Sequence, residues 1–198
     1  MASIFVHLAV AKRYIEKNPK KFAGTCVRDF YDGNVLPDLV HGDKDTTHFG
    51  RRDETKDLVK RFSEKIGLAK FLEQTNLDNC VERGKLLHLY TDWEYYNSFL
   101  PRDYVRAIDL DTFLSEHVYT FRAHKDYLIR KYGLSSEMTS VSERLEEMFE
   151  RWRKDHDERG VSDESVKILF NETALDEFIE RISSVDLDVI AIDNRRKK

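Results

Sequence analysis

Residues 77–99 read LDNCVERGKLLHLYTDWEYYNSF. Placed on a helix, Cys80, Leu86, Leu87, Leu89, Tyr90, Trp93, Tyr96 and Phe99 cover most of its circumference. A helix that is apolar all round belongs inside a protein, so this segment is predicted as the central element, closed by Pro101. Within it stands His88-x-x-x-Asp92. Four residues along a helix leave two side chains about 40° apart on one face. An imidazole and a carboxylate so placed form a ready chelate for a divalent ion such as zinc. An ionised carboxylate among Leu86, Leu87, Leu89, Tyr90 and Trp93 needs a strong partner, either a metal or a buried salt bridge.

The neighbouring sequence is helical in the same way. A helix over 4–17 puts Phe5, Leu8, Ala11 and Ile15 near one stripe with His7 beside it, and Asn18-Pro19 ends it. Because Lys12 and Arg13 follow the apolar run, it reads as the first helix of the domain and not as a signal peptide. A second helix, 21–31, is predicted to stop at the turn signal Asp32-Gly33-Asn34. A polar loop, 35–52, follows and holds Pro37, Asp38, His41, Asp43, Asp45 and His48. Loops of that length in compact domains are often functional. Further helices are predicted over 53–65, 68–74, 102–106, 111–132 (ending at Gly133), 135–157, 162–170 and 173–183, with 185–192 as a short extended segment. The fold class is all-α: one domain over 1–198, with additional helices over 134–192 and a solvated basic tail over 193–198.

Composition agrees. The 198 residues carry 33 Lys+Arg against 37 Asp+Glu, so no bulk field exists to hold a polyanion, and stable nucleic-acid binding is not expected. Only 8 Gly and 3 Pro leave few helix breakers. No apolar run reaches the ~18 residues of a membrane span. Cys26 and Cys80 sit among apolar residues and read as buried thiols of a reduced, cytoplasmic protein, with a single disulfide between them as the alternative.

The residues that could carry chemistry lie in four segments. His7 on an apolar helix, Asp38 after Pro37, His48 before Phe49, and the His88/Asp92 pair are each ordinary alone. Together, three imidazoles and two carboxylates suit one or two divalent ions, with zinc favoured by the histidines. Arg51 and Arg52, three and four residues after His48, are weak candidates for a phosphate clamp, and Trp93 for a substrate pocket. His117 and His124, seven apart on one helix face, are second-tier donors.

The order of these elements resembles a known family. His7, Leu36-Pro37-Asp38, Thr47-His48-Phe49 and Gly84-Lys85-Leu86-Leu87-His88-Leu89-Tyr90-Thr91-Asp92-Trp93 look like the zinc-dependent phospholipase C family, closest to its small intracellular putative-hydrolase members. Phe99-Leu100-Pro101, His124-Lys125-Asp126-Tyr127 and Lys131-Tyr132-Gly133 continue the likeness, which covers about residues 4–133. The resemblance implies an all-helical domain whose metal site lies between helices and the 35–52 loop. It implies His7, Asp38, His48, His88 and Asp92 as metal ligands, with Asp38 as bridging ligand and base for the attacking water. The His-x-x-x-Glu pair of that family is missing here, which implies one or two zinc ions and not three. The function so implied is metal-dependent hydrolysis of phosphoesters. The alternative is a non-catalytic helical protein with a structural metal site or a partner-binding role.

Overall fold

The computed structural model describes residues 2–22, 26–39, 45–51, 55–148 and 166–195. These form α1 (Ile4–Lys17), α2 (Cys26–Val35), α3 (Asp45–His48), α4 (Leu58–Ser63), α5 (Leu68–Gln74), α6 (Cys80–Glu94), α7 (Arg102–Ala107), α8 (Leu110–Tyr132), α9 (142–148), α10 (Glu172–Ile182) and α11 (Leu187–Arg195). Among the described residues the only β pairing is one isolated bridge, Phe49 to Ile66. No helix there is long and apolar enough to cross a membrane.

Helix starts follow capping chemistry. Asn79 Oδ1 accepts the Glu82 N–H (2.8 Å), Asp109 that of Thr112 (2.8 Å) and Asn171 that of Ala174 (2.9 Å), so each satisfies a backbone donor the first turn leaves free. Gly133, at φ 58°, closes α8 in the left-handed region, and Leu134 N–H returns to Ile129 O.

Two helices form the heart of the molecule. α6 is buried along its length, as its circumference predicts: Leu86, Leu87, His88, Leu89, Thr91 and Asp92 are all solvent-free. α1 joins it, buried from Ile4 to Ala11 on every side and not along a single stripe. α2 packs beside α6 in the same direction. Phe30 and Asn34 meet Gly84, and Asn34 O receives His88 Nδ1–H one turn further on. The approach is backbone to backbone: a Cβ at Gly33 would lie 1.9 Å from Val81 O, and one at Gly84 2.2 Å from Phe30 O. Glycine is the residue that permits this spacing.

That packing corrects the predicted stop at Asp32-Gly33-Asn34. α2 runs through it to Val35, because Gly33 serves helix contact and not a turn. The 35–52 loop contains a 3-10 turn, Leu36–Asp38, and the short α3. Among the described residues of the predicted 53–65 helix, Leu58–Ser63 is helical. α6 ends in a π-helical turn, Tyr95–Phe99. The segment expected to be extended, 185–192, is helical from Leu187, since Leu187, Ile190 and Ala191 fall at the i, i+3, i+4 positions that α11 buries. Residues 166–170 are not helical, and 149–165 lie outside the described residues, as do His41, Asp43, Arg52 and 196–198. Cys26 and Cys80 are not free thiols: they form a disulfide, Cα–Cα 5.5 Å, joining the first residues of α2 and α6.

Candidate metal centre

Four pieces of chain deliver polar side chains to one point in the interior. α1 presents His7, the 3-10 turn Asp38, α3 His48, and α6 both His88 and Asp92. The side chains of His7, His88 and Asp92 are 0% exposed and that of His48 1%; Asp38, at 7%, is the most exposed of the five.

Each is placed by its surroundings. His48 ends α3 just before a backbone clamp, where Gly67 N–H donates to His48 O (2.8 Å) and Arg51 N–H to Glu64 O (2.9 Å). Phe49 takes a left-handed φ of 62° there and sets its ring against Phe71. Such a conformation is uncommon outside glycine, and the clamp on both sides holds it. His7 stacks on His88, ring centroids 3.8 Å apart and 16° from parallel.

The hydrogen bonds behind the rings decide what the rings offer in front. His88 Nδ1 lies 2.7 Å from Asn34 O. A carbonyl only accepts, so Nδ1 carries the proton and Nε2 presents a lone pair. Thr47 Oγ1 donates to Pro37 O (3.0 Å) and therefore accepts from His48 Nδ1 (3.1 Å), which leaves His48 Nε2 as a lone pair too. These two Nε2 atoms face each other at 3.2 Å. Two lone pairs at that range repel unless a cation, a proton or a metal ion, lies between them.

The carboxylates complete the arrangement. Asp92 Oδ2 lies 3.4 Å from His48 Nε2 and 3.5 Å from His88 Nε2, and Asp38 Oδ1 lies 3.8 Å from His48 Nε2. A tetrahedron with zinc–ligand distances of 2.0–2.2 Å has edges of about 3.3–3.6 Å. His48, His88 and Asp92 thus stand at the spacing of three corners of such a site, with Asp38 beside His48. The other oxygens of the same carboxylates face His7: Asp92 Oδ1 is 3.3 Å and Asp38 Oδ2 4.0 Å from its Nε2. Both carboxylates therefore span from His7 to the His48/His88 pair. His88 Nε2 has one lone pair and can serve one ion only.

Burial opposes ionisation of Asp92, yet the three imidazoles around it, His7 foremost and then His48 and His88, hold its carboxyl well below the usual carboxylate range. The Ala2 N–H also donates to Asp92 Oδ1 at 2.6 Å. Even so, neither ring nitrogen of His7 nor Asp92 Oδ2 has a hydrogen-bond partner. Buried polar atoms without partners cost about 1–3 kcal/mol each. A donor set of soft imidazoles and hard carboxylates, with orphaned atoms aimed inward, fits a divalent ion.

The remaining candidates lie elsewhere. His117 sits among the rings of Phe113, Phe121 and Tyr95, and His124 Nε2 donates to Phe170 O (2.7 Å), so neither joins the cluster as a second-tier donor. Arg51 is exposed and enters none of the cluster's contacts. Trp93 is half-buried with its ring beside Tyr90. Asn34 and Thr47, which fix the tautomers, were not singled out in the sequence; one acts through a backbone carbonyl, which leaves no sequence signal. Comparison of the chain with protein-family models, curated proteins and solved structures found no match.

Proposed function

We propose that the protein is a divalent-metal hydrolase acting on phosphoesters, with zinc as its ion. The observation that carries the metal reading is the His48–His88 pair: two Nε2 atoms 3.2 Å apart, each with its other nitrogen committed to an acceptor. The phosphoester class is supported by the ordered resemblance to the zinc-dependent phospholipase C family.

His48 and His88, with one oxygen each of Asp38 and Asp92, would hold one ion. His7 with the two remaining oxygens would hold a second, and those three protein donors leave a position free for water. When bound, such ions lower the pKa of water toward neutrality and stabilise charge on a phosphoryl oxygen. The chain's own part is positional. Asn34 O and the Thr47 hydroxyl hold a proton on Nδ1 of each imidazole and leave Nε2 aimed inward. The Asp92 carboxyl stays ionised beside the imidazoles. Asp38, the donor open to solvent, accepts a hydrogen bond from the attacking water and takes its proton.

One observation favours a second reading. Four of the five donors are at most 1% exposed, and closed tetrahedral sites are typical of structural zinc. Metal analysis of the gently purified protein, paired with hydrolysis of a generic phosphomonoester and phosphodiester, separates the two. Hydrolysis abolished by chelation and by Asp38→Asn supports the enzyme. Bound metal with no hydrolysis of either ester leaves a structural centre, and absence of metal after zinc supplementation ends both readings. On location, the Cys26–Cys80 disulfide fits an oxidising compartment better than the cytoplasm that two thiols had suggested.

A further inference from the structure

We infer that Arg144, from the part of the chain outside the family resemblance, binds the anionic group of the substrate at the mouth of the metal centre. This inference rests on the phosphoester reading above and names the residue that would recognise the phosphate.

Of the five donors Asp38 is the most exposed, so the open side of the cluster lies at Asp38. Asp38 ends a 3-10 turn, and Leu39, the next residue, turns its carbonyl to Arg144, whose Nη2 donates to it at 3.1 Å. The guanidinium is thereby fixed one residue along the chain from the exposed donor, although the two are 105 residues apart in sequence. Its own helix is anchored at the same place. The Ser140 N–H donates to Asp32 Oδ1 of α2 (2.7 Å), the Ser140 hydroxyl bonds Asp32 Oδ2, and Leu145 is fully buried.

Charge pairing separates this arginine from four others. Arg13 pairs with Glu16 and Glu180, Arg83 with Asp188, Arg106 with Asp57 and Arg181 with Glu94. Among the described residues no carboxylate is paired with Arg144, and its side chain is exposed. A guanidinium carries five N–H donors; one is spent on Leu39 O, and the rest form the planar fork that matches two phosphate oxygens. A guanidinium held next along the chain from the solvent-facing donor, with no carboxylate paired to it among the described residues, suits a phosphate group whose remaining oxygens would face the ions.

The rival is that Arg144 merely caps the 3-10 turn through Leu39 O. Binding of inorganic phosphate to the zinc-loaded full chain, measured by titration calorimetry with zinc content determined in parallel, decides between them. Arg144→Gln keeps a donor for Leu39 O and removes the charge; Arg144→Lys keeps the charge and loses the fork. With zinc content unchanged, Gln is expected to weaken phosphate binding by roughly 10–100-fold and Lys by less, as charge-assisted hydrogen bonds dictate. Equal affinity in wild type and Gln overturns the role of Arg144 and leaves the phosphoester reading standing. Zinc-loaded wild type that binds no phosphate overturns both, and so does a wild type that takes up no zinc.

Discussion

Removing the Cys26–Cys80 cross-link by the double substitution Cys26→Ala/Cys80→Ala should cost the protein much of its stability. The bridge closes a loop with a sequence separation of 54, which includes Asp38 and His48. Closing a loop of that size removes about 14 cal/mol/K of entropy from the unfolded chain, equivalent to about 4 kcal/mol at 25 °C. Whole domains are stable by only about 5–15 kcal/mol, so the loss is a large share. With a urea m-value of about 2–3 kcal/mol per molar, the unfolding midpoint falls by roughly 1.3–2 M. The slope should also steepen, since the unlinked unfolded chain exposes more surface. Circular dichroism against urea for wild type, wild type with a phosphine reductant, and the double variant tests this, and the reduced and substituted proteins should coincide. Two free thiols titrated in the denatured wild type, or an unchanged midpoint on reduction, would refute the reasoning.

Thr47→Val removes the acceptor behind His48, releases its tautomer and should weaken zinc binding about 10–100-fold; Thr47→Ser should restore it, with 15N shifts of the His48 ring reporting Nδ1–H in wild type and a mixture in the Val variant. Gly84→Ala should destabilise by more than the ~1–3 kcal/mol of ordinary overpacking, because the new methyl meets the backbone of α2 at Phe30 O and Asn34 N; a melting temperature within a degree of wild type would contradict the described helix contact. Burial pushes the Asp176 carboxyl up, but hydrogen bonds from Lys131, Tyr127 and Tyr132 outweigh it and hold it below its ordinary value. Its stabilising share is therefore complete above the unfolded value of 3.8 and disappears as pH drops through the lower folded value, so Asp176→Asn should flatten the acid limb of a melting-temperature profile and lower the neutral plateau.

Much of the architecture was legible because helix periodicity is a local property. The circumference of α6 announced its central place, and Leu187, Ile190 and Ala191 carried the helical spacing of α11 even though the alternation of Val185 to Val189 masked it. Gly33 was misread because a glycine between Asp32 and Asn34 has the same composition whether it turns the chain or lets another helix approach; Val81, which decides the matter, lies 48 positions away. The convergence of His7, Asp38, His48, His88 and Asp92 was foreshadowed by the order of short motifs. The carbonyl of Asn34, the N–H of Ala2 and the reach of Arg144 to Leu39 involve backbone atoms that every residue owns, so no letter in the sequence marks them.

The span of the donor set has a consequence for how the centre is filled. His7 emerges early in synthesis and Asp92 some 85 residues later, so α1 cannot hold an ion until α6 has been made and has closed against it. Capture of an ion by this centre would then be a late event in folding. An ion so held would be expected to exchange slowly, and a chelator added to the folded, zinc-supplemented protein should strip it at a rate that stops rising as more chelator is supplied.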